Sequence, residues 1–165
     1  NIKLFYIYDS TIDSTFKSQV RRILKNSNWN KYEKYKETDS INNADIYIEL
    51  ALRDSLSSTH KTKEYYPDGK EIRFSITTYG NGSNPHMYID HINWLHGNKY
   101  SGLTIDEYRK YVINHEFGHC LGYDHQPCLD SNKRCPVMYQ STRGCPNGFK
   151  CGFEPDERDL TKKII

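Results

Sequence analysis

Three histidines, one glutamate and one glycine carry the chemistry to be expected of this chain. His115, Glu116, His119, Gly122 and His125 stand in the pattern H-E-x-x-H-x-x-G-x-x-H, inside residues 104–125. On a helix His115 and His119 lie one turn apart on one face, so both imidazoles can converge on a single metal ion. Gly122 can take the left-handed conformation that ends a helix and turns the chain back, bringing His125 to the same point as a third ligand. Three imidazole nitrogens leave a tetrahedral Zn2+ ion one open position, for water. Glu116 follows the first ligand and projects beside the metal rather than onto it. Zinc lowers the pKa of its water and polarises a carbonyl, so Glu116 can act as general base and then pass the proton to a leaving amine. The expected reaction is hydrolysis of an amide bond.

A bare H-E-x-x-H arises by chance, and a helical histidine is more often a core or surface group than a ligand. Gly122 and His125 at fixed offsets make coincidence a poor explanation. The element that must position these residues also carries its own signals. Thr104 with Glu107 is a capping box, and Asp106 and Glu107 suit the positive end of a helix dipole. Tyr108, Tyr111, Val112, Phe117 and Leu121 are apolar on nearly all sides, which predicts a buried helix. Gly118 inside it costs roughly 1 kcal/mol relative to alanine, so something is expected to pack closely against that turn.

The motif resembles that of the metzincins, a clan of zinc endopeptidases whose second hallmark is a methionine in a tight turn beneath the metal. Met138, in the run CPVMYQ (135–140), stands where that turn is expected, whereas Met87 lies upstream of the motif. Val137-Met138-Tyr139 is similar to the matrixin turn, with Gln140 where a proline usually follows. Gln140 also stands where astacins and serralysins carry a zinc-reaching tyrosine, so the resemblance implies no tyrosine switch. YRKYVINHEFGHCLGYDHQPC and PVMYQ followed by a Gly-Cys pair also resemble a poorly characterised family of bacterial secreted metzincin-like domains, with a weaker likeness over residues 89–97. The resemblance implies an α+β metzincin catalytic domain: a twisted mixed sheet of about five strands, two long helices, a Met-turn and a C-terminal helix. An upper subdomain would span about residues 1–122 and a lower one about 123–165.

The rest of the chain fits one domain with a core of its own. At 36% hydrophobic and 27% charged residues, with a mean hydropathy of −0.86, the sequence is polar. No apolar run reaches the 18 or so residues that span a bilayer as a helix. A net charge of +2 without a long basic block argues against nucleic acid as partner. Residues 2–8 read as a buried strand. A helix capped by Asp13 or Ser14 follows, with Phe16, Val20, Ile23 and Leu24 at helical spacing and Lys17, Arg21, Arg22 and Lys25 on a solvated face. Residues 32–38 read as a weak strand and 44–50 as a stronger one, which implies a right-handed crossover and a mixed sheet. Residues 55–69 read as a surface excursion, with His60 exposed.

Residues 71–78 alternate, with Ile72, Phe74 and Ile76 on one face, and suit an edge strand. In the metzincins such an edge lies above the active-site helix and pairs with extended substrate, giving affinity with little sequence preference. Asn81-Gly82-Ser83 is a turn and a short glycosylation sequon. Residues 86–95 read as a further strand. His86, Asp90, His91 and His96 fall there, where some matrixins bind a structural metal, but in a strand His86 and Asp90 face away from His91, so a second metal is not expected.

Five cysteines cluster in the last third. Cys120 sits on the buried helix and reads as a small core residue. Cys128, Cys135, Cys145 and Cys151 lie in a loop-rich region where two disulfides would stabilise the chain, in keeping with an oxidising compartment and a secreted protein. Three pairings are open; the resemblance implies Cys128 with Cys145 and Cys135 with Cys151. Spacings of seven, ten and six fit a zinc ribbon poorly. Pro155, an acidic first turn and Lys162 and Lys163 predict a short C-terminal helix.

The expectation is therefore a monomeric zinc endopeptidase acting on extended protein or peptide substrates. His115, His119 and His125 would bind zinc, Glu116 would be base and acid, and Met138 would form the floor. Two other classes stay open: a zinc-stabilised binding module without activity, and a zinc hydrolase of a non-peptide amide.

Overall fold

The computed structural model describes residues 1–52, 63–80 and 83–162. His60, most of the 55–69 excursion, and Asn81 and Gly82 of the sequon lie outside them. Strands β1 (Ile2–Ile7), β2 (Tyr35–Glu37), β3 (Ile46–Ala51), β4 (Ile76–Thr78) and β5 (His86–Asp90) form one mixed sheet in the order β2-β1-β3-β5-β4. The first three pairings are parallel, and β4 closes the edge antiparallel to β5, with Ile76 opposite Tyr88 and Thr78 opposite His86. Among the described residues there are three α-helices: α1 (Phe16–Lys25), α2 (His91–His96) and α3 (Ile105–Cys120).

Alternation along the strands gives the sheet one apolar face, on which the described helices pack. Leu4, Ile46, Ile48, Met87 and Ile89 are buried toward the helices, while Phe5, Tyr47, His86 and Tyr88 are partly exposed on the other face. Helix α1 contributes Phe16, Val20, Ile23 and Leu24, all buried, each worth about 1.5–3 kcal/mol of transfer free energy. These residues join the inner sheet face, the middle of α3, Trp29, Val137 and Met138 in one continuous cluster. The core thus runs without a break from the strands to the segment beyond α3.

Three expectations are corrected. The run 86–95 is not strand throughout: at Asp90 the chain turns into α2, because the Asp90 carboxylate caps it, accepting from the Asn93 amide at 3.0 Å. Residues 71–75 lie outside the ladder: Glu71 and Ile72 pair by backbone with residues 64–65, Arg73 binds the Asp90 carboxylate at 2.9 Å and Ser75 Oγ accepts from the Asp90 amide at 2.8 Å. Ile72 and Phe74 do share one face, packed with Tyr66 in a smaller cluster. The C-terminal helix is only a 3-10 turn, Glu157–Asp159. Asp159 points inward rather than along a helix surface, and the chain beyond it extends to pair Lys162 with Tyr123.

Both disulfides also differ from the implied pairing, since Cys128 bonds Cys135 and Cys145 bonds Cys151. Each closes a tight local turn. Asp130 to Lys133 and Pro146 to Phe149 reverse the chain through backbone hydrogen bonds, leaving Cα separations of 4.9 and 5.7 Å, both inside the range a disulfide spans. Cys120 is buried and unbridged. Among the described residues no helix is long and apolar enough to cross a membrane.

Candidate metal centre

Helix α3 begins where the sequence places it. Thr104 Oγ1 accepts from the Glu107 amide and the Glu107 carboxylate accepts from the Thr104 amide, completing the capping box. From Tyr111 to Cys120 every residue is buried. A buried polar link steadies this half: Asn114 accepts from Ser27 Oγ at 2.7 Å and donates to the Phe153 carbonyl at 2.9 Å, while the Trp29 indole donates to the Asn114 carbonyl. The helix ends in a Schellman motif, with Tyr123 N bonded to Gly118 O and Gly122 N to His119 O, and Gly122 at φ +93°. This reversal carries His125 back over the helix.

All three histidines meet. Their ligand atoms lie within 4.8 Å of one another, with His115 and His119 buried and His125 exposed. His115 Nδ1 faces the Val137 carbonyl at 2.7 Å and His119 Nδ1 faces the Tyr123 carbonyl at 2.9 Å. Each carbonyl accepts only, so each Nδ1 carries the proton and each Nε2 presents a lone pair to the common centre. His119 Nε2 and His125 Nε2 are 3.1 Å apart. Two nitrogens bound at about 2.0–2.1 Å around a tetrahedral ion stand roughly 3.3 Å apart, so His119 and His125 already stand near the separation of two ligands to one ion. Burial and the neighbouring His119 and His125 hold His115 well below the usual imidazole range, which keeps it in the neutral, ligating form.

Glu116 lies beside the cluster, its Oε2 4.0 Å from His115 Nε2. Burial raises its pKa to about 8, opposed by a hydrogen bond from Thr77. Beneath the centre, residues 136–139 form a turn closed by Tyr139 N to Pro136 O at 3.0 Å, and Met138 is fully buried. That turn supplies the Val137 carbonyl to His115 and the Met138 carbonyl to the Gln126 amide, so it braces the first and third histidines together. The expectation for Gly118 holds: a β-carbon there would stand 2.5 Å from Met138 Sδ and 2.8 Å from Trp29 Cζ2.

The centre opens into a cleft of about 170 Å³ between the β4 side, with Ile76, Thr77 and Tyr79, and Gln140 and Thr142. Four residues of its surroundings escaped the sequence reading. Thr77 Oγ1 donates to Glu116 Oε1 at 2.9 Å, and the Tyr79 hydroxyl donates to the His119 carbonyl. Asp159, fully buried, accepts from the Met138 amide at 3.0 Å. Gln140, noted in the sequence only as a departure from two family patterns, has its amide nitrogen 2.9 Å from His125 Nε2. Thr77 and Gln140 carried no local signal, because each acts on a residue distant in sequence. Three of the four residues considered for a second metal have other partners: His86 is 3.0 Å from Glu49, Asp90 binds Arg73, and His91 Nδ1 is 3.2 Å from the Ala51 carbonyl.

A mixed α/β fold with a three-histidine cluster, two on α3 and the third just beyond its C-terminal reversal, defines this as a candidate metalloprotein. The chain belongs to the family described as protein of unknown function (DUF3152), which matches residues 8–162 and so includes the three histidines, Glu116 and both disulfides. No curated protein and no solved structure matches the chain.

Proposed function

We propose that the chain is a zinc-dependent endopeptidase of the metzincin type, acting on extended peptide substrates outside the cell. The observation that carries this reading is the convergence of three imidazoles with a buried carboxylate beside them at the floor of an open cleft. Zinc, held by His115, His119 and His125, would supply Lewis acidity toward the scissile carbonyl and toward a water. Glu116 takes the proton from that water and delivers it to the departing amine, and its Oε2 is the oxygen turned toward the histidines. Burial is what raises the Glu116 pKa. A metal ion beside it favours the ionised form that a base requires.

Substrate would lie along β4, the terminal strand of the sheet, whose residues also line the cleft. Two disulfides support an oxidising, extracellular setting. The test is inactivation by a chelator and recovery with zinc on a mixture of unstructured peptides. Recovery by zinc with cleavage inside the peptides supports the reading, and release of terminal residues only would exclude an endopeptidase.

A further inference from the structure

The two oxygens of the Glu116 carboxylate have different surroundings. Oε1 accepts from Thr77 Oγ1 at 2.9 Å, while Oε2 lies 4.0 Å from His115 Nε2, on the side of the histidine cluster. The same hydroxyl lies 3.2 Å from the Glu116 carbonyl, the longer of these two contacts. A glutamate has a broad terminal torsion, so its backbone position alone does not fix which oxygen faces the metal centre. Thr77 is β-branched and sits in a paired strand opposite Met87, so its own hydroxyl has little freedom.

Strand alternation puts Tyr79 on the same side as Thr77, and its hydroxyl reaches the His119 carbonyl. The sheet-edge strand is therefore tied to α3 at the carboxylate and again at the second histidine. We propose that Thr77 is a positioning residue, holding Glu116 Oε1 so that Oε2 faces the reacting water and fixing the carboxylate relative to the strand that takes up substrate. This inference rests on the endopeptidase reading. Without the hydroxyl, the carboxylate rotates among arrangements of which only some are productive, which slows the chemical step and leaves substrate binding to the strand intact.

The test pairs Thr77→Val, close in shape but without the donor, with Thr77→Ser, which restores it. The expected result is a fall in kcat of about 10- to 100-fold for Thr77→Val, with KM within about twofold and zinc content unchanged, and recovery to within about fivefold in Thr77→Ser. Independently of activity, unfolding of the metal-free protein in a double-mutant cycle of Thr77→Val with Glu116→Ala reads the contact itself. The expected coupling is about threefold or more in the folding equilibrium constant. A rise in KM instead of a fall in kcat, equal losses in Val and Ser, or independence of the two sites in the cycle would overturn the proposal. An inactive wild-type protein with the coupling intact would sink the peptidase reading while upholding the tether.

Discussion

Met138 Sδ stands 2.5 Å from the point a β-carbon on Gly118 would occupy, so the turn under the histidine cluster and the helix above it touch through a missing side chain. Alanine would gain about 1 kcal/mol in helix propensity, but the contact is sulfur against backbone with Trp29 on the other flank. Gly118→Ala is expected to destabilise the protein by about 1–2 kcal/mol net, read by denaturant unfolding, because overpacking costs more than propensity returns. A more stable variant would mean that Met138 moves aside freely.

The neighbouring turn makes a pH prediction. Burial raises the Asp159 pKa from 3.8 to about 6 even though it accepts from the Met138 and Asp156 amides. Between these values the folded state holds a proton that the unfolded state has released. Its contribution is therefore complete below about pH 4 and lost as pH rises through about 6. The loss approaches about 3 kcal/mol at most. Compared with Asp159→Asn, the wild type should lose relative stability from pH 4 to 6.5 and then run parallel; parallel curves throughout would refute the assignment.

Peptide mapping under non-reducing conditions should recover Cys128 with Cys135 and Cys145 with Cys151, each closing a short loop. Replacing either pair by serines is expected to cost about 2–3 kcal/mol of stability. Recovery of a Cys128–Cys145 peptide would mean the local turns at residues 130–133 and 146–149 do not direct the pairing.

What was legible in the sequence is what local physics determines. The Thr104 and Glu107 box, the left-handed Gly122 and the i, i+4 histidines each depend on neighbours within a turn or two, and each stands where the pattern puts it. The alternation of Ile46, Ile48 and Leu50 likewise gave the inner face of β3. The start of α2 was also a local signal, an Asp90 cap three residues before a helical amide, hidden by an apolar run that reads equally as strand. The remainder is long-range: Thr77 meets Glu116 across 39 positions, and Asp159 meets Met138 across 21. Neither contact has a sequence signature. The short C-terminal turn follows from the second of them, because a residue drawn inward to a buried amide cannot also continue a solvated helix.

The most direct measurement is digestion of a diverse peptide library by the purified wild type and by Glu116→Ala side by side, with zinc determined in both. The account predicts one zinc per chain in each protein, internal cleavage by the wild type and none by the variant, because the three histidines hold the metal without the carboxylate. Equal cleavage by the two proteins, or a wild type that binds no zinc, would contradict it.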